Sequence, residues 1–445
     1  MLDKIENIKL DRKSKLVKLL LIVAAVVTII GFLIDLRNTL NYPGTDLRNR
    51  VVGTRLMLEG IDPYFFKWQP GLSEKFYDPL DIPSQLLSKL SVTPAVLVLH
   101  SLFVGLSYLQ QKLIWLFVQW AALIGTIFIF IKTSNSRSQV NLVVATGLLF
   151  ANSLFWRFHV NSGQIYIIYV FLLSVAWLFL NSSANYSSII SGLFVGITVS
   201  LRPSFILFFI PFLICKKFSF VIGGILGLIS SVALSCIVTG TFIWERYILT
   251  MLAMTGFIDL NTYLPSKERI FPDPNIVYPQ IIEGFDSKIR NPLERYLDNT
   301  SLYDVLNALD IPNKRNILAI SFIVTMIILG WCIWRFSLKN KNTKLIFLWG
   351  TVTCLIGEFF IPVGRYSYYD VQMILPLLIV INQANVKNFI LQKNIIVLLL
   401  GLFLSIIGFI VIPRALFFSV FIIMLYIVLV SFMLLNQTAK LSAKS

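Results

Sequence analysis

The chain has 445 residues, 57% of them apolar and only 13% charged, whereas a soluble globule carries roughly 25% charged residues, so an ordinary soluble domain is excluded. The net charge of +16 raises a polyanionic partner, but the basic residues sit in short segments between apolar runs, as in membrane proteins of fixed orientation. Nucleic acid is therefore not expected as a partner.

The first element expected is a retained membrane span. Residues 1–18 are charged, and the apolar run Leu19–Leu36 that follows is longer than the core of a signal peptide and lacks a small-residue cleavage site. A long loop, Arg37–Thr93, comes next, then the apolar stretch Pro94–Leu109. Further spans are expected at Leu113–Ile131, Val140–Phe155, Gln164–Leu180, Ser188–Leu201, Ser204–Cys215 and Phe218–Val238. A second long loop, Gly240–Arg315, precedes the spans Ile317–Trp334, Leu345–Ile361, Val371–Ile381, Asn394–Ile412 and Leu416–Leu435. The reading is an all-α polytopic membrane protein of about 12 transmembrane helices forming one domain, 1–445, with outer loops 37–93 and 240–315.

Charge decides the ambiguous stretch. Lys4, Lys9, Arg12, Lys13, Lys15 and Lys18 place the N-terminus in the cytoplasm. If Pro94–Leu109 does not cross, Lys132/Arg137, Lys216/Lys217, Arg335/Lys339/Lys341/Lys344, Lys387/Lys393 and Lys440/Lys444 all become cytoplasmic. Pro94–Leu109 is accordingly expected as a re-entrant or interfacial helix. Asp3, Glu6 and Asp11 are then the cytoplasmic carboxylates, and the other nineteen of the 22 acids lie at the outer side, where the chemistry is expected. Both long loops carry aromatics (Tyr64, Phe65, Phe66, Trp68; Phe271, Tyr278) and should fold onto the bundle.

The segment Gly44-Thr45-Asp46-Leu47-Arg48-Asn49-Arg50, continuing to Glu59-Gly60-Ile61-Asp62-Pro63-Tyr64, carries the main chemical signal. Thr45 can cap a helix that starts at Asp46 and Gly60 can end it. Arg50 then lies one turn from Asp46 on the same face, with Arg48 nearby. A carboxylate held beside guanidinium groups can accept a proton while those groups neutralise a departing phosphate; an exposed ion pair on a solvated face has the same spacing.

Other polar residues fall at membrane depth or at its outer edge. Gln164 opens a span, as a ligand or as a helix-to-helix hydrogen bond. His159 is either a second base or sugar contact, or an interfacial histidine. Arg202 separates two apolar stretches, as a phosphate contact or a snorkelling side chain. Gly364-Arg365-Tyr366-Ser367-Tyr368-Tyr369-Asp370 combines rings with donors, as a carbohydrate site or an aromatic girdle, and the buried Glu358 needs a partner, for which Arg365 is the candidate. Asp62, Asp78 and Asp81 read as turn and cap residues. The four cysteines (Cys215, Cys236, Cys332, Cys354) read as buried thiols. With two histidines, His100 and His159, and no H-E-x-x-H or cysteine cluster, neither a metal nor another cofactor is expected. No G-x-x-x-x-G-K-[ST] loop or cytosolic domain is present to hold a nucleotide.

Taken in order, Asp46, the turn Gly60-Ile61-Asp62-Pro63-Tyr64, Val92-Thr93-Pro94, Asn161-Ser162-Gly163-Gln164 and the run from Gly192 through Gly196 to Leu201-Arg202-Pro203 resemble glycosyltransferase family 87, of the GT-C class, over residues 20–385. The resemblance implies a GT-C-like bundle and a hexosyltransferase, with mannose among the candidate sugars. It further implies a polyprenyl-phosphate-sugar donor, a glycolipid or glycan acceptor, and inversion at the anomeric carbon. Asp46 would be the base that deprotonates the acceptor. Arg202 stands where the family more often has lysine, and Gln164 would bind the sugar or line the site. Arg48, Arg50, Arg202 and Arg365 form the pool of phosphate-binding candidates, with Tyr366 and His159 as further substrate contacts. The setting would be the lipid bilayer of the cell (plasma) membrane, with the active site on its outer side. A transporter or lipid-glycan flippase is the alternative with the same number of spans, although no internal repeat supports it.

Overall fold

The computed structural model describes residues 2–42, 44–66, 73–76, 90–255, 257–258, 300–337, 342–362, 365–383, 389–410, 412 and 414–442. Trp68, Asp78, Asp81, Phe271, Tyr278 and Gly364 lie outside these residues.

Helix α1 (Leu2–Asn41) leads into α2 (Thr45–Leu58), α3 (Pro94–Ser101) and α4 (Tyr108–Lys132). Helices α5 (Arg137–Phe150) and α6 (Leu154–Asn161) form a pair bent by 57°. Then come α7 (Tyr166–Leu180), α8 (Ser187–Leu201), a 3-10 turn at Pro203–Phe208, α9 (Phe209–Ile214), α10 (Phe218–Thr239) and α11 (Thr241–Thr255). After the second loop follow α12 (Leu302–Ala308), α13 (Lys314–Ser337), α14 (Thr343–Phe359), a 3-10 segment at Ser367–Met373, α15 (Ile374–Gln383), α16 (Phe389–Ile406) and α17 (Ala415–Ser442).

Among the described residues, five helices are long and apolar enough to cross a membrane: Leu21–Asn41, Tyr108–Lys132, Phe218–Thr239, Lys314–Arg335 and Ala415–Leu434, with the bent α5–α6 pair as a sixth. The protein is thus a polytopic, all-helical membrane protein. Several of the other runs expected to cross form shorter apolar helices, of which α7 and α8 have 15 residues each. Such a helix rises about 22 Å, against a hydrocarbon core of about 30 Å. The stretch Pro94–Leu109 contains α3, eight residues long, which rises only about 12 Å and cannot cross by itself.

Packing is tightest between α8 and α10. A Cβ at Gly192 or Gly196 would collide with the backbone of Phe220 or Gly224, and one at Gly223 or Gly227 with that of Ile189 or Leu193. Small residues four apart allow helix axes to approach this closely inside a bilayer, where apolar burial itself gives little drive to associate. Beside them Phe208, Phe212, Phe220 and Phe347 form a fully buried ring cluster.

A buried polar clamp near the C-terminal end of α1 joins three helices. Asp35 pairs with Arg157 at 2.5 Å and accepts from the indole N–H groups of Trp120 (3.2 Å) and Trp156 (3.0 Å). Arg157 also donates to the Gly31 carbonyl at 2.6 Å. A carboxylate that is fully buried is tolerated because a guanidinium and two N–H donors surround it. The consequence is positional: α6 is held against α1 and α4, and the turn that follows α6 carries Gln164.

Candidate functional site

The start of α2 is built by the turn after α6. Asp46 and Leu47 donate their backbone N–H groups to the Ser162 carbonyl (3.0 and 3.2 Å). These are among the N–H groups a helix N-terminus leaves unpaired, so a distant carbonyl does the work expected of the Thr45 side chain. The helix begins at Thr45 after Gly44, whose φ of 71° places it in the left-handed region. The far end follows expectation, since Gly60 at φ 70° donates its N–H to the Met57 carbonyl.

The same turn holds the Asp46 side chain. Gln164 donates its side-chain N–H to Asp46 Oδ2. The Gln164 backbone carbonyl in turn accepts from Trp115 Nε1 (3.1 Å) and Gln119 Nε2 (2.7 Å), both on α4. Gly163, at φ 68°, gives its carbonyl to the Arg50 guanidinium, and a Cβ there would come within 2.7 Å of Leu47. Three consecutive carbonyls, 162 to 164, are therefore all committed, and the orientation of Gln164 is fixed by α2 and α4 together.

Arg50 does not follow the solvated-face alternative. It is buried, lies 4.8 Å over the Trp115 ring and donates to Gly163, so the spacing of one helical turn does not produce an exposed ion pair with Asp46. The reason is that α2 is packed nearly all round, with Arg48, Asn49 and Arg50 all buried. Asp46 itself is half-buried. Burial pushes its carboxyl up to about 6, against the opposing pull of Arg50, the Gln164 hydrogen bond and Arg48.

A second group of side chains gathers around Tyr166 at the start of α7. Its ring lies 4.5 Å from Tyr369 and 6.3 Å from Tyr368, both in the 3-10 segment Ser367–Met373. Arg202, at the end of α8, lies 4.7 Å over Tyr166 and 5.0 Å from the Tyr369 ring. Burial, and after it the nearby Asp46 charge, pushes the Tyr368 hydroxyl well above its usual range. That coupling ties the tyrosine group to Asp46. The end of α8 is fixed in turn by the Leu201 carbonyl, which accepts from Thr93 Oγ1 (3.3 Å) and the Tyr169 hydroxyl (3.4 Å). The Thr93-Pro94 segment thus supports the position of Arg202.

Three expected site residues are placed differently. Glu358 pairs with Arg202 (2.7 Å) and not with Arg365 as expected. Arg365 is buried, pairs with Asp370 at 2.5 Å, donates to Thr300 Oγ1 at 2.8 Å and packs on the Phe359 ring. It fastens the start of α12 to the loop after α14, and this pairing commits Nη1 of the guanidinium that was a candidate for phosphate. His159 is fully buried: its Nε2 accepts from the Ile167 backbone N–H and its ring stacks on Trp156, which makes it part of the α6–α7 joint. Tyr366 is exposed, with its ring 5.6 Å from Tyr368 at the edge of the tyrosine group. Asp62 takes the turn role expected of it. It accepts from the Tyr64 N–H at 2.9 Å and adds an ion pair to Arg246 on α11.

Sequence reading did not single out Tyr166, Trp115 or Gln119. Tyr166 follows Gln164 by two residues, and a polar residue with an aromatic at a span's first turn was the signal available. Trp115 and Gln119 are one turn apart on α4, and only the tertiary contact with the Gln164 carbonyl gives them a role. The described residues thus combine a shielded carboxylate, an amide donor aimed at it, a buried guanidinium beneath it and a cation held by tyrosine rings. That set can move one proton and meet an anionic group.

No curated protein and no solved structure matches the chain. The family model described as glycosyltransferase family 87 matches residues 93–271, a stretch that includes Thr93, Gln164, Tyr166 and Arg202. Over that stretch the chain is similar to glycosyltransferase family 87.

Proposed function

We propose that this membrane glycosyltransferase moves a hexose, mannose being the first candidate, from a polyprenyl-phosphate-sugar donor to a glycolipid or glycan acceptor. The reaction takes place at the outer face of the cytoplasmic membrane, with Asp46 as general base. The observation that carries the reading is the Asp46 carboxylate, half-buried and oriented by the Gln164 side chain. A base whose pKa lies near the working pH balances availability against driving force, and burial has moved Asp46 in that direction.

In the reaction, the acceptor hydroxyl gives its proton to Asp46 as its oxygen forms a bond to the anomeric carbon. The bond from that carbon to the phosphate oxygen breaks, and polyprenyl phosphate leaves with the electron pair. Attack opposite the leaving group inverts the anomeric centre. Arg202 meets the phosphate from its position between Tyr166 and Tyr369. Arg50, buried beneath Asp46, favours the ionised carboxylate before attack. Donors already in place need little reorganisation as charge builds on the leaving oxygen. Arg48 stays a candidate for the same task, whereas Arg365 and His159 serve the scaffold. The Lys and Arg clusters that this topology places in the cytoplasm support the outer-face assignment, and the family match favours group transfer over transport.

The test is turnover by purified protein in lipid, given polyprenyl-phosphate-mannose and a glycolipid extract. Asp46→Asn should retain donor binding and lose transfer by at least about a hundredfold, the lower range for loss of a general base. Equal transfer by both proteins removes Asp46 from the mechanism.

A further inference from the structure

Arg202 is held on four sides. Its Nε donates to Glu358 Oε1 at 2.7 Å and its Nη1 to the Tyr166 hydroxyl at 3.2 Å. Two rings, Tyr166 and Tyr369, flank its guanidinium carbon at 4.7 and 5.0 Å. Glu358 is itself immobilised: Oε1 also accepts from Ser204 Oγ (3.1 Å) and Oε2 from Gln372 Nε2 (3.1 Å). The carboxylate is 3% exposed, whereas the Arg202 side chain keeps 20% of its surface open. Glu358 thus sits behind the cation and not between it and the open side, and all its oxygens are engaged by protein donors.

A buried carboxylate with three donors is a costly way to stabilise a helix bundle, since an apolar replacement of similar volume is often no worse. Its specific effect is to fix direction. The pair consumes the Nε of the guanidinium and leaves Nη2 with no protein partner among the described residues. An arginine that presents one preset edge to a phosphate loses less side-chain freedom on binding than one that must be ordered by the ligand.

We propose that Glu358 is a positioning residue for the donor phosphate. With Ser204 and Gln372 it locks the Arg202 guanidinium between Tyr166 and Tyr369, so that Nη2 is presented to the phosphate of a lipid-linked sugar. The proposal rests on the reading of Arg202 as a phosphate contact. It adds that the acid behind Arg202 sets donor affinity without touching the donor.

The experiment is a titration of full-length protein in nanodiscs with a short-chain polyprenyl phosphate as probe, read by intrinsic fluorescence, with thermal midpoints recorded alongside. Glu358→Gln keeps the volume and removes the charge. Ser204→Ala removes one donor and leaves both charges in place. The exchange Arg202→Glu with Glu358→Arg restores an ion pair with its polarity reversed. Removal of the charge that fixes the guanidinium should weaken the probe about tenfold in Glu358→Gln, and Ser204→Ala should weaken it measurably with little change in midpoint. The exchanged pair should bind no probe even where its midpoint approaches that of the wild type. Unchanged affinity in Glu358→Gln and Ser204→Ala overturns the proposal, as does an exchanged pair that binds normally, which would make the ion pair purely structural. If Glu358→Gln does not fold, Ser204→Ala decides the question alone. Failure of the Asp46 reading is separately visible, because Asp46→Asn would then transfer sugar normally whatever the probe titration gives.

Discussion

Gln164→Leu tests the coupling between the turn after α6 and the proposed base. The substitution keeps volume and removes the donor to Asp46 Oδ2. Because a hydrogen bond to the ionised form favours that form, its loss raises the Asp46 pKa. Such a bond contributes about 1.5–3 kcal/mol, and the lower figure suits a carboxylate that keeps some solvent contact. At about 1.4 kcal/mol per unit, the shift is about one unit upward. The starting value of about 6 then moves to about 7. At pH 6.5 the ionised fraction falls from about three quarters to about one quarter, a loss of roughly threefold, whereas at pH 8 both proteins are about nine-tenths ionised or more. The assay is kcat/KM for polyprenyl-phosphate-mannose from pH 5 to pH 9. Activity in each protein is lost as pH falls through the Asp46 value, and the variant's acidic limb should lie about one unit higher. A uniform loss at every pH, with the limb unmoved, would show that Gln164 acts on the sugar and not on the base.

Three further outcomes are expected. In the folded state the Asp46 value of about 6 exceeds the ordinary 3.8, so folding favours the protonated form and the ionised carboxylate weakens the fold above pH 6. The difference of about 2.2 units (about 6 minus 3.8), at about 1.4 kcal/mol per unit, sets a ceiling on the order of 3 kcal/mol. Asp46→Asn should therefore melt no lower than wild type at pH 8 while losing transfer, which differential scanning fluorimetry in detergent checks. Arg157→Leu leaves Asp35 buried without its cation, a change that costs about 3–5 kcal/mol, and should sharply lower the melting midpoint. Gly196→Leu places a side chain where the α10 backbone lies and should abolish recovery of monodisperse protein in size-exclusion chromatography.

The match of residues 93–271 to a family of glycosyltransferases and the geometry around Asp46 bear on different links of the argument. The former supports the reaction class. The latter gives a distribution of labour among cations of similar appearance in sequence. Arg50, Arg202 and Arg365 are each one arginine near an aromatic in a loop or at a span's end, yet one supports a carbonyl under Asp46, one is cradled by an acid and two tyrosines, and one closes a buried pair far along the chain.

Composition and the length of the apolar runs were enough to determine that this protein is a helical membrane protein, because a bilayer requires internally satisfied backbones and the charged fraction is too low for a soluble surface. Local turn chemistry in the sequence also placed Asp46 in the first turn of a short helix that ends at Gly60, since glycine's left-handed φ is a local property. Tertiary structure alone decided which partners those residues meet. Ser162 replaces Thr45 as the cap of α2, Gly163 draws Arg50 away from an exposed pair with Asp46, and Glu358 pairs with an arginine 156 positions away and not with Arg365, seven residues on. Charged and polar groups in an apolar interior bond to whichever donor or acceptor the packing brings within about 3 Å, and sequence separation does not encode that distance.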